Sequence, residues 1–221
     1  LEAVDAAATA GAVVVLSSRP SAANADELAP RGYRFFAATL DSASMAEFVE
    51  TPLALSLAKS ALERGEAPAS RAKLYSSAIE RRVADSRGGG AAIQLARVVL
   101  PEMRELLQRL ARDAHATRSI EFGRDKLLAA LDGDARKAAA AWRLGRAGAL
   151  PLVVARGDAL AFAHLSFQEH LTAEAMGVAA LFRDEAKLED PWWGDVLLTA
   201  WTLADDEAKR DEAIGALEPA R

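Results

Sequence analysis

Three short segments carry residue types whose spacing could do chemistry. In Val13-Val14-Val15-Leu16-Ser17-Ser18-Arg19-Pro20 a β-branched run ends in small polar residues and a guanidinium. A buried parallel strand ending there would bring Arg19 to the carboxyl edge of a sheet. Nucleotides bind at that edge in open α/β folds, and an arginine there can pair with a terminal phosphate. Taken alone, the plainer reading of Arg19 is a surface arginine after a strand. Thr51-Pro52-Leu53-Ala54-Leu55 sets a rigid Pro52 before apolar residues that could pack against a base; the plainer reading is a helix N-terminus. Phe162-Ala163-His164-Leu165-Ser166-Phe167-Gln168-Glu169-His170-Leu171 crosses from a strand into a helix, with His164 at the junction. An imidazole there could hydrogen-bond a phosphate oxygen, and its charge could change near neutral pH. The plainer reading is that His164 caps the helix while Gln168 and Glu169 face solvent.

These residues need particular elements to hold them. Ala12 to Leu16 and Tyr33 to Leu40 read as short buried strands, the first bounded by turn residues. From Thr51 the chain turns helical. Leu53, Leu57, Ala61 and Leu62 share one face of a first helix that Gly65 ends. Ser70 opens a second, with Leu74, Ala78 and Ile79 inward and Arg71, Arg81 and Arg82 outward. Arg87-Gly88-Gly89-Gly90 is a break. A helix from Pro101 carries Met103, Leu106, Leu107, Leu110, Ala111 and Ala114 at helical spacing. Ser119 to Phe122 reads as a short strand, and 124–131 and 135–146 as two short helices. Leu150 to Ala155 and Ala159 to His164 form a hairpin about Arg156-Gly157-Asp158. Helices followed by such a hairpin have the pattern of a winged helix. Phe167, Leu171, Ala175, Val178 and Phe182 then line one long helix. Asp190-Pro191 starts another through Trp192, Trp193, Val196, Leu197, Ala200 and Trp201.

Bulk properties narrow the function classes. The 221 residues are 51% hydrophobic and 27% charged, a globular balance, and alanine supplies much of the apolar share. A net charge of −5 disfavours general nucleic-acid binding. Cysteine is absent, which excludes disulfides and thiolate metal sites and fits a cytoplasmic protein. No apolar run has membrane-spanning length, so no membrane partner is expected. Leu1 to Gly11 reads as the tail of a helix, the middle of a longer chain.

Taken together and in order, the three segments resemble the NACHT family of STAND-class P-loop ATPases. In that family a strand ending in Ser-Arg-Pro is a sensor segment, and a Thr-Pro-Leu helix follows in a small helical domain. A Phe-x-His-Leu-Ser-Phe-Gln-Glu segment then closes a winged helix. The last match is the most specific and is nearly complete here. Leu106 to His115 and the tandem Trp192-Trp193 before Val196-Leu197-Leu198 are similar to the family as well. The resemblance implies a mainly α fold with a small β component, in four parts. Residues 1–40 would be the edge of a P-loop sheet, 41–100 a helical domain, 101–164 the winged helix, and 165–221 the start of a HEAT-like helical array. It implies ATP/ADP as ligand, with Arg19 near the γ-phosphate, Pro52 near the adenine and His164 on the β-phosphate of ADP in the resting form. Exchange of ADP for ATP, triggered by an unknown ligand, would release the winged helix and allow homo-oligomerisation in signalling of the innate-immune or antiphage kind.

The chain departs from the family in what it lacks. It contains no Gly-x-x-x-x-Gly-Lys-Ser/Thr and no acidic strand to hold Mg²⁺, so catalytic residues are expected N-terminal to Leu1, and this chain alone is not expected to hydrolyse ATP. Ala204-Asp205-Asp206 reads as a solvated helix end. The stretch from Leu40 to Thr51 is shorter than the family's usual connection. His164, Glu169 and His170 do not have the His-Glu-x-x-His spacing of a helical metal site. Two other classes compete with the switch. One is a winged-helix DNA-binding regulator, which the acidic balance opposes. The other is a helical protein-interaction scaffold, which exposed Trp192, Trp193 or Trp201 would fit. Core packing is the plainer reading of those tryptophans.

Overall fold

The computed structural model describes residues 51–85, 91–99, 102–204 and 207–217. The expected strands over 12–16 and 33–40, Arg19, the 87–90 break and Asp205-Asp206 lie outside the described residues. The chain divides into two compact units, Leu1–Ala69 and Ser70–Arg221.

In the first unit, α1 spans Pro52–Leu62. Thr51 is extended, and its Oγ1 accepts from the Ala54 N–H at 3.2 Å. Pro52 occupies the first turn, where a missing N–H costs nothing. The buried stripe is Ala54, Ala58 and Ala61, so of the expected face Ala61 is buried and the leucines are not. Leu53 and Leu57 are half-buried and Leu62 is exposed. The two stripes differ by one residue in register on the same helix, so helical spacing alone could not choose between them.

The second unit begins with α2 (Arg71–Asp85), where Ser70 Oγ accepts from the Lys73 N–H at 3.2 Å. Leu74, Ala78 and Ile79 are buried as expected, with Ala72 and Tyr75 beside them. Arg82 is exposed, but Arg71 and Arg81 are half-buried. A further helix, α3 (Ala91–Val99), follows. Next comes α4 (Met103–Ala116), which buries every apolar residue assigned to its inner face. Each such leucine contributes about 2 kcal/mol through burial.

The strand β1 (Glu121–Phe122), helices α5 (Arg124–Ala130) and α6 (Ala135–Arg146), and strands β2 (Val153–Arg156) and β3 (Ala159–Phe162) complete the middle of the chain. Asp134 caps α6, accepting from the N–H groups of Arg136 and Lys137. The sheet order is β1-β3-β2, antiparallel throughout. Val153 pairs with Phe162 and Arg156 with Ala159, while Glu121 pairs with Ala161. This helix–strand–helix–helix–strand–strand order has the arrangement expected of a winged helix. Leu160 points inward from β3 onto α6, and a Cβ at Gly145 would lie 2.5 Å from its Cδ1. Glycine there lets the helix approach the sheet.

From His164 the chain enters α7 (Leu165–Met176). Residues 166–173 are all buried, so this is a central helix rather than one with a single apolar face. It packs most extensively on α4 and then on the later helix over 194–203. The expected long helix through Phe182 is broken at Gly177, with φ 73° and ψ 159°. Only glycine adopts that backbone freely. The chain continues as α8 (Val178–Phe182), α9 (Glu185–Glu189), a 3₁₀ turn over Pro191–Trp193, α10 (Gly194–Leu203) and α11 (Glu207–Leu217). The helix expected from Asp190 therefore starts one turn late. Asp190 Oδ1 accepts from the Trp192 N–H at 3.0 Å and fixes the turn first. Leu181, Trp193, Val196, Ala200 and Ala213 form the core of this part. Trp193 is buried, and Trp192 and Trp201 are half-buried, which agrees with core packing rather than an exposed aromatic surface. The protein is thus mainly α with a small antiparallel β component. Among the described residues no helix is long and apolar enough to cross a membrane.

Candidate functional site

His164 is the one sequence-assigned site residue in the second unit, and its geometry follows from the junction it occupies. It leaves β3 with φ −153° and ψ 144°, an extended backbone that suits a helix N-cap. Its Nδ1 accepts from the Ser166 N–H at 3.1 Å. The capping reading is therefore correct. It also has a chemical consequence: a neutral imidazole that accepts at Nδ1 carries its proton on Nε2. His164 is exposed, and Nε2 has no partner among the described residues.

The side chain stands at the rim of a concavity of about 370 Å³. Val154, Arg156 and Ala161 line it from the outer face of the hairpin, Ile120 from the segment before β1, and Gln168 from the first turns of α7. Pairing of Val154 with Ala161 and of Ala161 with Glu121 makes one row across that face. Arg156 Nη1 lies 3.4 Å from Glu121 Oε1, a pair exposed enough to exchange partners. The concavity thus offers an N–H donor, an exposed guanidinium, a helix N-terminus and apolar walls. That combination suits an anion carried on a flat apolar group.

The expectation that Gln168 and Glu169 face solvent is wrong. Both are buried because α7 is enclosed on nearly every side. Gln168 Nε2 donates to the Ser119 carbonyl at 3.0 Å, tying α7 to the segment before β1, while its Oε1 is buried without a partner. Glu169 lines a second, much smaller cavity with Arg71, Tyr75, His170 and Thr199. Burial pushes its carboxyl up to about 7, with Asp195 adding to the rise and Arg71 opposing it.

One turn further along, the polar groups are fully engaged. His170 Nε2 lies 3.1 Å from both Ser76 Oγ and Glu174 Oε1. Arg104 Nη2 donates to Glu174 Oε1 at 2.7 Å and Gln108 Nε2 donates to Oε2 at 3.1 Å. Burial raises the Glu174 carboxyl, but hydrogen bonds from His170 and Gln108 and the nearby charges outweigh it, leaving the group below its ordinary 4.5.

At the other end of α4, His115 is fully buried. Its ring stacks on Trp192 at 4.7 Å and meets the edge of Trp193 at 4.7 Å. Neither ring nitrogen has a partner, although the His115 carbonyl accepts from Trp192 Nε1 at 2.9 Å.

Of the three sequence-assigned site residues, Arg19 lies outside the described residues. Pro52 belongs to the first unit and His164 to the second, and each stands in the local role its segment predicted. The sequence reading passed over Glu169, Glu174 and His115 as groups with a role. His115 had a signal, since it extends the Leu107 and Ala111 row of α4 by one more turn. Glu169 had none, because its burial comes from α2 and α10. The chain matches no family model, and no curated protein matches it.

Proposed function

We propose that this chain is the regulatory part of a nucleotide-gated signalling switch of NACHT type, in which His164 senses bound ADP. The observation that carries this reading is the posture of His164. Its Nδ1 is held by the helix it caps, and its Nε2–H is presented outward at the N-terminus of α7, beside Arg156. An anion meeting that corner gains a charge-assisted hydrogen bond and the favourable end of the helix dipole. Because α7 is the central helix of its unit, a pull at His164 is felt by α4 and α10 together. ADP held there would keep the module closed, and loss of the contact on exchange for ATP would free it to oligomerise. Arg19 and Pro52 keep only the nucleotide-contacting roles that the resemblance implies, and Mg²⁺ and the hydrolytic groups have no candidate residues in this sequence.

The test measures release of a fluorescent ADP analogue from the protein. His164→Ala should release the nucleotide about 10- to 100-fold faster, the worth of one hydrogen bond to a charged group. It should also lower the ATP concentration needed for oligomerisation. Unchanged nucleotide release in a well-folded variant would sink the reading.

One observation favours the DNA-binding alternative: Arg136, Arg143 and Arg146 are exposed on α6, the helix before the wing. Tight binding of duplex DNA that weakens steeply between low and moderate salt would select that class instead.

A further inference from the structure

Three helices meet at Glu169. It sits on the first turns of α7, with the start of α2 on one side and Thr199 of α10 on the other. The cavity they enclose has a volume of about 10 Å³, the room needed for one water. Its lining is polar: Arg71 and Tyr75 from α2, Ser166, Glu169 and His170 from α7, and Thr199 from α10. Tyr75 Oη is buried without a hydrogen-bond partner, although its ring is fixed edge-on against Phe167. A buried hydroxyl in that condition costs about 1–3 kcal/mol unless a neighbour or a water satisfies it. Glu169 accepts no hydrogen bond among the described residues.

The charges around this carboxyl do not balance it. From α2 comes Arg71, which lies 3.8 Å from Asp195 Oδ1 and 5.8 Å from the centre of the Tyr75 ring. From α10 comes Asp195 itself, a second carboxylate competing for the same guanidinium. Of the charged groups of α4, Arg104 is taken up by Glu174 one turn further along, and Arg109 and Asp113 pair with Asp132 and Lys126. Within α7, His170 is likewise turned to Glu174 and Ser76. The segments β3 and α8 contain no titratable side chain. An ionised Glu169 would have to share Arg71 or reach water, whereas a protonated Glu169 can donate a hydrogen bond within the cavity.

We propose that this meeting point of α2, α7 and α10 is a proton-operated joint, closed around one water when Glu169 is protonated and opened to solvent when it ionises. Opening parts α2 and α10 from α7, the helix that His164 caps. The joint therefore provides a way for pH to alter the setting of α7, and with it His164, without a ligand in the anion-facing concavity. The sign follows from the buried carboxyl. A group held above its ordinary value of 4.5 keeps the closed form fully favoured below that value and loses it as pH rises through about 7.

Carboxyl-selective NMR on the full chain reads the titration directly. A Glu169 midpoint near 7 is expected, and one near 4.5 overturns the proposal. Hydrogen exchange provides the mechanical readout. Between pH 6 and pH 8, protection factors at the α10 amides should fall about tenfold in the parent protein, as linkage of opening to one proton requires. Glu169→Gln, which keeps the shape and cannot ionise, should abolish that fall. The same fall in Glu169→Gln as in the parent would overturn the joint. Should that variant fail to fold, the titration of the parent protein decides alone.

Discussion

Around Glu174, His170 Nε2 lies 3.1 Å from two oxygens and the carboxylate takes further bonds from Arg104 and Gln108. Around His115, at the far end of α4, two tryptophan rings close over an imidazole with neither nitrogen partnered. Both histidines are buried and both join helices distant in sequence. The first region fixes one geometry, because His170, Arg104 and Gln108 all converge on the same carboxylate. The second holds a neutral ring by packing alone and carries the cost of its unmet polar atoms. Partnered charges specify a fold; an unpartnered buried group keeps a second state within reach of a small change in conditions.

The largest test of that contrast is Glu174→Ala. It leaves His170, Arg104 and Gln108 without their common acceptor, and we expect a loss of about 3 kcal/mol in urea unfolding. His115→Phe should act in the opposite direction. It keeps the stack on Trp192 and removes two unmet ring nitrogens, which should stabilise the protein by about 1 kcal/mol. A loss in that variant comparable to the first would end the comparison.

The pH dependence separates the same two regions. Burial holds His115 below its ordinary 6.5, against the pull of Trp192 and Asp190. The unfolded chain therefore takes up a proton first as pH falls below 6.5, and stability is lost progressively down to the folded value. His115→Phe should lack that loss, so its advantage in thermal midpoint should widen from pH 7.5 to pH 5.5. Glu174 is held below 4.5 in the fold, so its contribution is complete above that value and disappears only in stronger acid.

The smallest effect belongs to a wall with no polar groups. Gly145→Ala would press a Cβ against Leu160, whose side chain is fully buried. Overpacking of that kind costs about 1–3 kcal/mol, and the better helix propensity of alanine returns about 1 kcal/mol. A net loss of about 1 kcal/mol in thermal unfolding is expected.

Much of the fold was legible locally. The inner face of α4 could be read from Met103, Leu106, Leu107, Leu110, Ala111 and Ala114, because a 3.6-residue period leaves one stripe for the core. The hairpin about Gly157 and the junction at His164 were equally plain. The alanine stripe of α1 was not, because small residues sit on a helix face with no bulk to mark it. Nor was the break at Gly177 or the late start of α10, where a single backbone angle and one aspartate cap outweighed an apolar pattern that ran on.

What this sequence determined by itself is therefore the set of elements, their caps and the corner that presents His164. Those features depend on hydrogen bonds between residues two to four positions apart. What only the tertiary structure decided is the fate of the polar residues on α7. Ser76 reaches His170 across 94 positions, and Arg104 reaches Glu174 across 70. Burial of Glu169 likewise depends on α2 and α10 closing over it. A polar side chain on a helix looks the same in the sequence whether water or protein surrounds it, and the difference lies in what distant segments bring to it.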